Sequence, residues 1–269
     1  MSKLSNHKPR KRFGQHFLDD PLAIAQILDC IDPKPSDCLI EIGPGLGALT
    51  RPLLERVSHL TLIEIDRDLI AMLSAMASPE RLSIHNQDVL RFDLKAFMQS
   101  HNPHTLVRIV GNLPYNISTP LVFHLLDHAA LIFDMHFMFQ KEVAARLVAQ
   151  PGDTNYGRLS VMTQYFCDNA LLLDVGPEAF RPPPQVDSAF VRLKPYQTPP
   201  FVAHAFSTFA QIVQRAFNQR RKTLRNTLGS YIDTQGFTAA CIDPGARPQT
   251  LSVADFVRLS NTLNQATLS

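Results

Sequence analysis

The chain has 269 residues, 45% of them hydrophobic and 19% charged, a balance that fits a globular protein with one main domain and a smaller companion. No apolar run reaches the roughly 18 residues that a membrane-crossing helix needs, and the basic start MSKLSNHKPRKRFGQHFL lacks the apolar stretch of a secretory signal, so a cytoplasmic protein with no membrane partner is expected. The net charge of +2 hides a segregation: Lys3, Lys8, Arg10, Lys11 and Arg12, with Arg215, Arg220, Arg221, Lys222 and Arg225, put ten of the 26 basic residues in two acid-free stretches, leaving 16 against 24 acids elsewhere.

From Pro21 to Val110 strand and helix patterns alternate. Cys38–Ile42, Leu60–Glu64, Leu82–Ile84 and Leu106–Val110 read as strands, the last ending at Gly111, and Ala48–Val57 and Asp68–Ala77 as helices. Such alternation means βαβ units and a parallel sheet. Helices are expected over 119–127 and 141–149, and strands over 135–139, 170–175 and 188–193. Pro182, Pro183 and Pro184 exclude helix and central strand, and 195–200 reads as a linker. Beyond it Phe206, Phe209, Ile212, Val213 and Phe217 recur at helical spacing. The expected fold class is α/β, with one domain over 1–196 and a small all-α domain over 197–269. The helix through Arg215 is expected to carry Arg215 and Lys222 on one basic face, suited to a polyanion.

Three of eleven glycines fall in Gly43-Pro44-Gly45-Leu46-Gly47, between a strand and a helix. This is the place for close backbone approach to a ligand, although G-x-G-x-G is not the G-x-G-x-x-G of dinucleotide sites. Glu64 closes the next strand, where a carboxylate can accept from a ribose diol, and Asp88 follows the third. Asp66 competes with Glu64 for the ribose but is better placed as a helix cap. Gly, Glu and Asp at three successive strand ends suit a nucleoside without a phosphate chain, and S-adenosylmethionine fits that description.

The stretch Gly111-Asn112-Leu113-Pro114-Tyr115-Asn116 then follows a strand end. If the methyl acceptor is the exocyclic amine of adenine, its lone pair is delocalised into the ring until acceptors hold its hydrogens. The Asn112 side-chain carbonyl and the Leu113 backbone carbonyl, stiffened by Pro114, are such acceptors, and Tyr115 can stack on the base. His124 and His128 lie four apart, but no acid completes a zinc pattern. The widely spaced Cys30, Cys38, Cys167 and Cys241 read as free thiols, so no metal is expected.

The stretches RFGQHFL, EIGPGLGALT, IEIDRDL, GNLPYNISTPL, MFQKEVAARL, YGRLSVMTQY, FRPPPQVDSAFVRL and AFNQRRKTLRN resemble the ribosomal RNA adenine dimethyltransferases, in particular their bacterial KsgA type, over about residues 12–228. The resemblance implies a Rossmann-like methyltransferase domain that binds S-adenosylmethionine through His16, Leu18, Gly43, Glu64, Asp88 and Asn112. It also implies catalysis by Asn112, Leu113, Pro114 and Tyr115, with Phe180 as a second ring on the target base. The implied reaction is dimethylation of two adjacent adenosines in the 3′-terminal hairpin of 16S ribosomal RNA, by a monomer acting on the assembling small subunit. Two positions depart from the family pattern: Gln185 stands for a Lys, and His16 stands where many relatives carry Asn. A class acting on large-subunit RNA shares the N-terminal motifs. A role chiefly as an RNA-binding assembly factor, or as a transcription factor like mitochondrial relatives, is the alternative of another kind.

Overall fold

The computed structural model describes residues 16–102, 104–114, 117–219 and 221–263. In chain order the elements are β1 (Phe17–Leu18), α1 (Pro21–Ile31), β2 (Cys38–Ile42), α2 (Thr50–Arg56), β3 (Leu60–Ile63), α3 (Arg67–Ser74), β4 (Leu82–His85), α4 (Leu94–Gln99), β5 (Val107–Asn112) and α5 (Ser118–Leu126). There follow β6 (Ile132–Gln140), α6 (Lys141–Val148), α7 (Arg158–Phe166), β7 (Cys167–Val175), β8 (Phe180–Arg181), β9 (Ser188–Pro195), α8 (Phe206–Phe217), α9 (Leu224–Leu228), α10 (Thr234–Ala239) and α11 (Val253–Asn261).

The chain forms two compact units. One holds the residues up to Ala144 with Ala170–Pro195, and the other holds Ala145–Asn169 with the residues from Tyr196 on. A single boundary at 196/197 was the expectation; the contacts also assign 145–169, with α7, to the helical unit. Helix α7 has no counterpart in the sequence reading, because its apolar residues alone do not say which body they join.

The first unit is built on a seven-stranded sheet of order β4-β3-β2-β5-β6-β9-β7. Strands β4, β3, β2, β5 and β6 run parallel and β9 is antiparallel to β6. The order reverses between β2 and β5, and in such sheets the crevice beyond the strands' carboxyl ends there holds the ligand. Strand β5 does not stop at Gly111 as expected: it continues to Asn112, which pairs opposite Met138. Glycine is required at 111, since a Cβ would sit 2.6 Å from the Ile42 carbonyl oxygen of the neighbouring strand.

Each element follows from local chemistry. Helix α1 begins where Asp20 accepts from the backbone N–H groups of Leu22 and Ala23, with Pro21 in the first helical position. It buries Ala23, Ile27, Leu28 and Ile31. Asp66 caps α3 by accepting from Asp68, the role the sequence favoured for it. At the end of β5 away from the crevice, buried Arg108 is held by Asp134 of β6 through two hydrogen bonds of 2.9 and 2.8 Å and by Asp37 at 2.7 Å. Its remaining donors reach the carbonyls of Ile31 and Asp32 at the end of α1.

A second, two-stranded sheet pairs β1 with β8, Phe17 opposite Arg181 and Leu18 opposite Phe180. Within the helical unit, Phe209, Ile212, Leu224, Leu228 and Phe256 are fully buried. Helix α8 ends at Phe217, so Arg215 and Lys222 do not share one helical face. The apolar repeat stops there, and the polar run Asn218, Gln219, Arg221, Lys222 forms an exposed turn before α9. Arg215 lies instead over the Tyr231 ring, 3.7 Å from its centroid. All four cysteines are free. Among the described residues no helix is long and apolar enough to cross a membrane and no three metal-ligating side chains cluster.

Candidate active site in an acid-lined cleft

A cleft of ≈ 180 Å³ opens at the carboxyl ends of β2, β3, β4 and β5. Its floor is the turn after β2, where Gly43, Gly45 and Gly47 all have positive φ, at 66, 56 and 82°. Gly45 is needed twice: a side chain would be strained at that φ, and its Cβ would lie 2.9 Å from the Phe17 ring of β1 that covers the turn.

Among the described residues, the titratable groups lining the cleft are the carboxyls of Glu41, Glu64 and Asp88 and the ring of His16, with no Lys or Arg. A phosphate chain would be repelled there, whereas a ligand with a diol and a positive centre is favoured. Glu64 is buried and accepts from the N–H groups of Asp66 at 2.8 Å and Gly45 at 3.3 Å. Burial pushes its carboxyl above the usual range, and those backbone donors act against that push. Asp88 accepts from the Leu90 N–H and so fixes the loop after β4. Apolar walls come from Ile42, Ile63, Val89 and the half-exposed Ile65. These residues fit the adenosine and sulfonium of S-adenosylmethionine.

At the other side stand Asn112, Leu113 and Pro114. The Asn112 side-chain Nδ2 donates to the backbone carbonyl of His16 at 2.9 Å. Because a carbonyl can only accept, this contact sets the amide's orientation and makes Oδ1 its acceptor end. The segment that supplies the carbonyl is pinned from behind. The His16 Nδ1 lies 2.8 Å from the Pro182 carbonyl, the Asp19 N–H donates to the Ala179 carbonyl at 2.8 Å, and β1 pairs with β8.

The structure thus brings His16, Leu18, Gly43, Glu64, Asp88, Asn112, Leu113 and Pro114 around one cavity. Tyr115 lies outside the described residues. Phe180 is not brought to the cleft. Its pairing with Leu18 turns the ring into the core cluster, where it is 2% exposed, so it supports β1 and presents no face to a base. Sequence reasoning passed over Glu41 and Ile65, which also line the cleft. An acid inside the otherwise apolar strand Cys38–Ile42 was the signal for the first, and nothing marked the second.

The sequence matches the family described as "Ribosomal RNA adenine dimethylase" over residues 6–265. The chain belongs to that family. Among the family's proteins, the "Ribosomal RNA small subunit methyltransferase A" of Pseudomonas syringae pv. tomato is 51% identical over 270 residues and matches the whole of both chains. The protein of that name from Pseudomonas aeruginosa is 52% identical over 264 residues, 98% of this chain and 97% of its own. Among solved structures, a dimethyladenosine transferase from Plasmodium falciparum has a TM-score of 0.73 and 27% identity, covering 91% of this chain and 96% of its own. The 23S rRNA methyltransferase ErmE has a TM-score of 0.71 and 27% identity, covering 93% of this chain and all of its own. As a ribosomal RNA adenine dimethylase the chain is an S-adenosylmethionine-dependent methyltransferase with a Rossmann-like fold.

Proposed function

We propose that this chain transfers two methyl groups to the N6 amine of each of two adjacent adenosines in the 3′-terminal hairpin of 16S ribosomal RNA, as a cytoplasmic monomer acting on the assembling small subunit. The observation that carries the reading is the Asn112 amide, fixed with Oδ1 as its acceptor end beside a phosphate-repelling, nucleoside-sized cleft. The cofactor supplies an electrophilic methyl group on a sulfonium centre. Glu64 would accept from the ribose hydroxyls, and Asp88, His16, Leu18 and the Gly43 turn, which line the same cleft, would hold the rest of the cofactor.

Asn112 Oδ1 and the Leu113 carbonyl hold the two hydrogens of the target amine and turn its lone pair toward the methyl donor. Tyr115 stacks on the extruded base, an interaction worth roughly 1–3 kcal/mol in single-strand binders. Phe180 is buried in the core, so under this proposal the stacking falls to Tyr115. After the first transfer one hydrogen remains, so one acceptor is left to hold the amine while the other meets a methyl group. The exposed Arg221, Lys222 and Arg225 supply phosphate contacts from the helical unit.

Small-subunit RNA is favoured over large-subunit RNA by the FRPPPQVDSA and AFNQRRKTLRN stretches. Relatives about half identical along their full length and named for the small subunit support the same choice, against 27% for ErmE. The test is methyl transfer to naked 16S RNA, immature small subunits and large subunits. Incorporation at two adjacent adenosines of immature small subunits is expected, and preferential methylation of large subunits would overturn the assignment.

A further inference from the structure

Glu41 has no part in the mechanism above, yet it is the most unusual acid of the cleft. It is the fourth residue of β2, 2% exposed, and its register neighbours on either side are Leu62 and Val110. Among the described residues its one side-chain hydrogen bond comes from the neutral hydroxyl of Thr50, which donates to Oε2 at 2.7 Å. The other titratable groups among the described residues of the cleft come from several elements. Beyond β3 stands the Glu64 carboxyl, beyond β4 that of Asp88, and from the covering segment the His16 ring. Arg108 of β5 is at the opposite end of its strand and committed to Asp134 and Asp37. Among the described residues an ionised Glu41 would therefore be a buried anion with no Lys or Arg beside it and a second carboxylate, Glu64, acting on it.

We propose that Glu41 is the proton-linked sensor of the cofactor's charge: it is a neutral acid in the empty cleft, ionises when the sulfonium of S-adenosylmethionine enters, and is reprotonated once the neutral thioether product is left. The idea rests on the placement of the cofactor in this cleft. Burial and Glu64 hold the Glu41 proton up to about 8, against the Thr50 bond that favours release, so in the empty protein the acid form prevails at neutral pH. A unit positive charge entering the same low-dielectric space reverses that preference. The proton count closes over a turnover. Binding releases one proton from the carboxyl; transfer breaks S–CH3, forms N–CH3 and sheds one proton from the amine; loss of the positive charge lets the carboxyl take one back. The charged donor is thereby held electrostatically and the neutral product is not.

By linkage, donor affinity rises with pH below about 8, by up to about tenfold per unit, because protons are lost on binding. Product affinity lacks that slope. The sulfonium makes the donor's α-amino group more acidic than the product's, so the comparison of wild type with Glu41→Gln, in which the ligands are the same, isolates the carboxyl.

The experiment is isothermal titration of the full chain with S-adenosylmethionine and with S-adenosylhomocysteine at pH 7, in phosphate and in Tris, whose different ionisation enthalpies report protons released. Wild type is expected to release at least about half a proton more with the donor than with the product. In Glu41→Gln, which keeps a neutral side chain of the same length, the carboxyl's share of that excess should vanish, a fall of at least about half a proton. Thr50→Val removes the donor that favours the ionised form, so the pH at which the excess appears should move upward. Equal release for both ligands in wild type, or an undiminished excess in Glu41→Gln, overturns the proposal, the second outcome assigning the proton to another group of the cleft or of the ligand. Absence of binding by either ligand to wild type would instead refute the cofactor placement on which the proposal stands.

Discussion

A carboxamide has two ends of similar size and opposite hydrogen-bonding sense, and at Asn112 the His16 carbonyl decides which end is which. The residue that begins the covering segment therefore also prepares the acceptor that the reaction needs. The sequence displayed Asn112 through its motif, but not this contact, which joins residues 96 apart. Glu64 is placed with similar economy, since its carboxyl is held by the N–H groups of Gly45 and Asp66 and turned toward the cleft. Glu64→Ala should weaken S-adenosylmethionine binding by about tenfold to a hundredfold, the loss of one or two hydrogen bonds to a carboxylate. RNA binding should persist. Titration calorimetry showing unchanged cofactor affinity in that variant would remove Glu64 from the ribose.

At the scale of elements, β2, β3 and β4 and the helices between them were legible because apolar runs and alternating periods are local properties of a chain. The pairing of β1 with β8 was not, since it joins Phe17 to Arg181 and neither two-residue strand has a period to show. Arg108 is another case: it lies inside an apolar run read simply as a strand, and its partners Asp37 and Asp134 are 71 and 26 residues away. Its network ties β5 to β6 and to the end of α1, far from the cleft end of β5. Asp134→Ala leaves the buried guanidinium with Asp37 as its remaining carboxylate and takes away two charge-assisted hydrogen bonds, so it should lower stability by about 2–3 kcal/mol. Urea denaturation checks this, and a loss under about 1 kcal/mol in that variant would show that the network holds little.

For the whole molecule, the sequence separated a nucleoside-binding α/β body from a basic helical one, but it drew the line once where the chain crosses between units three times. It could not place 145–169, because a helix's apolar face does not name the body it will bury against. It also gave Phe180 to the target base, whereas strand pairing commits that ring to the core. The proposed division of labour has RNA held by basic groups of the helical unit and by stacking on Tyr115, while methyl transfer depends on the Asn112 amide. Single-turnover methyl transfer by Asn112→Ala at saturating S-adenosylmethionine, with RNA affinity measured in parallel, separates the two most directly. Transfer slowed by roughly a hundredfold or more with RNA affinity within about threefold of wild type is the predicted result. Transfer within about threefold of wild type would contradict the account, because the amine would then be oriented without Asn112.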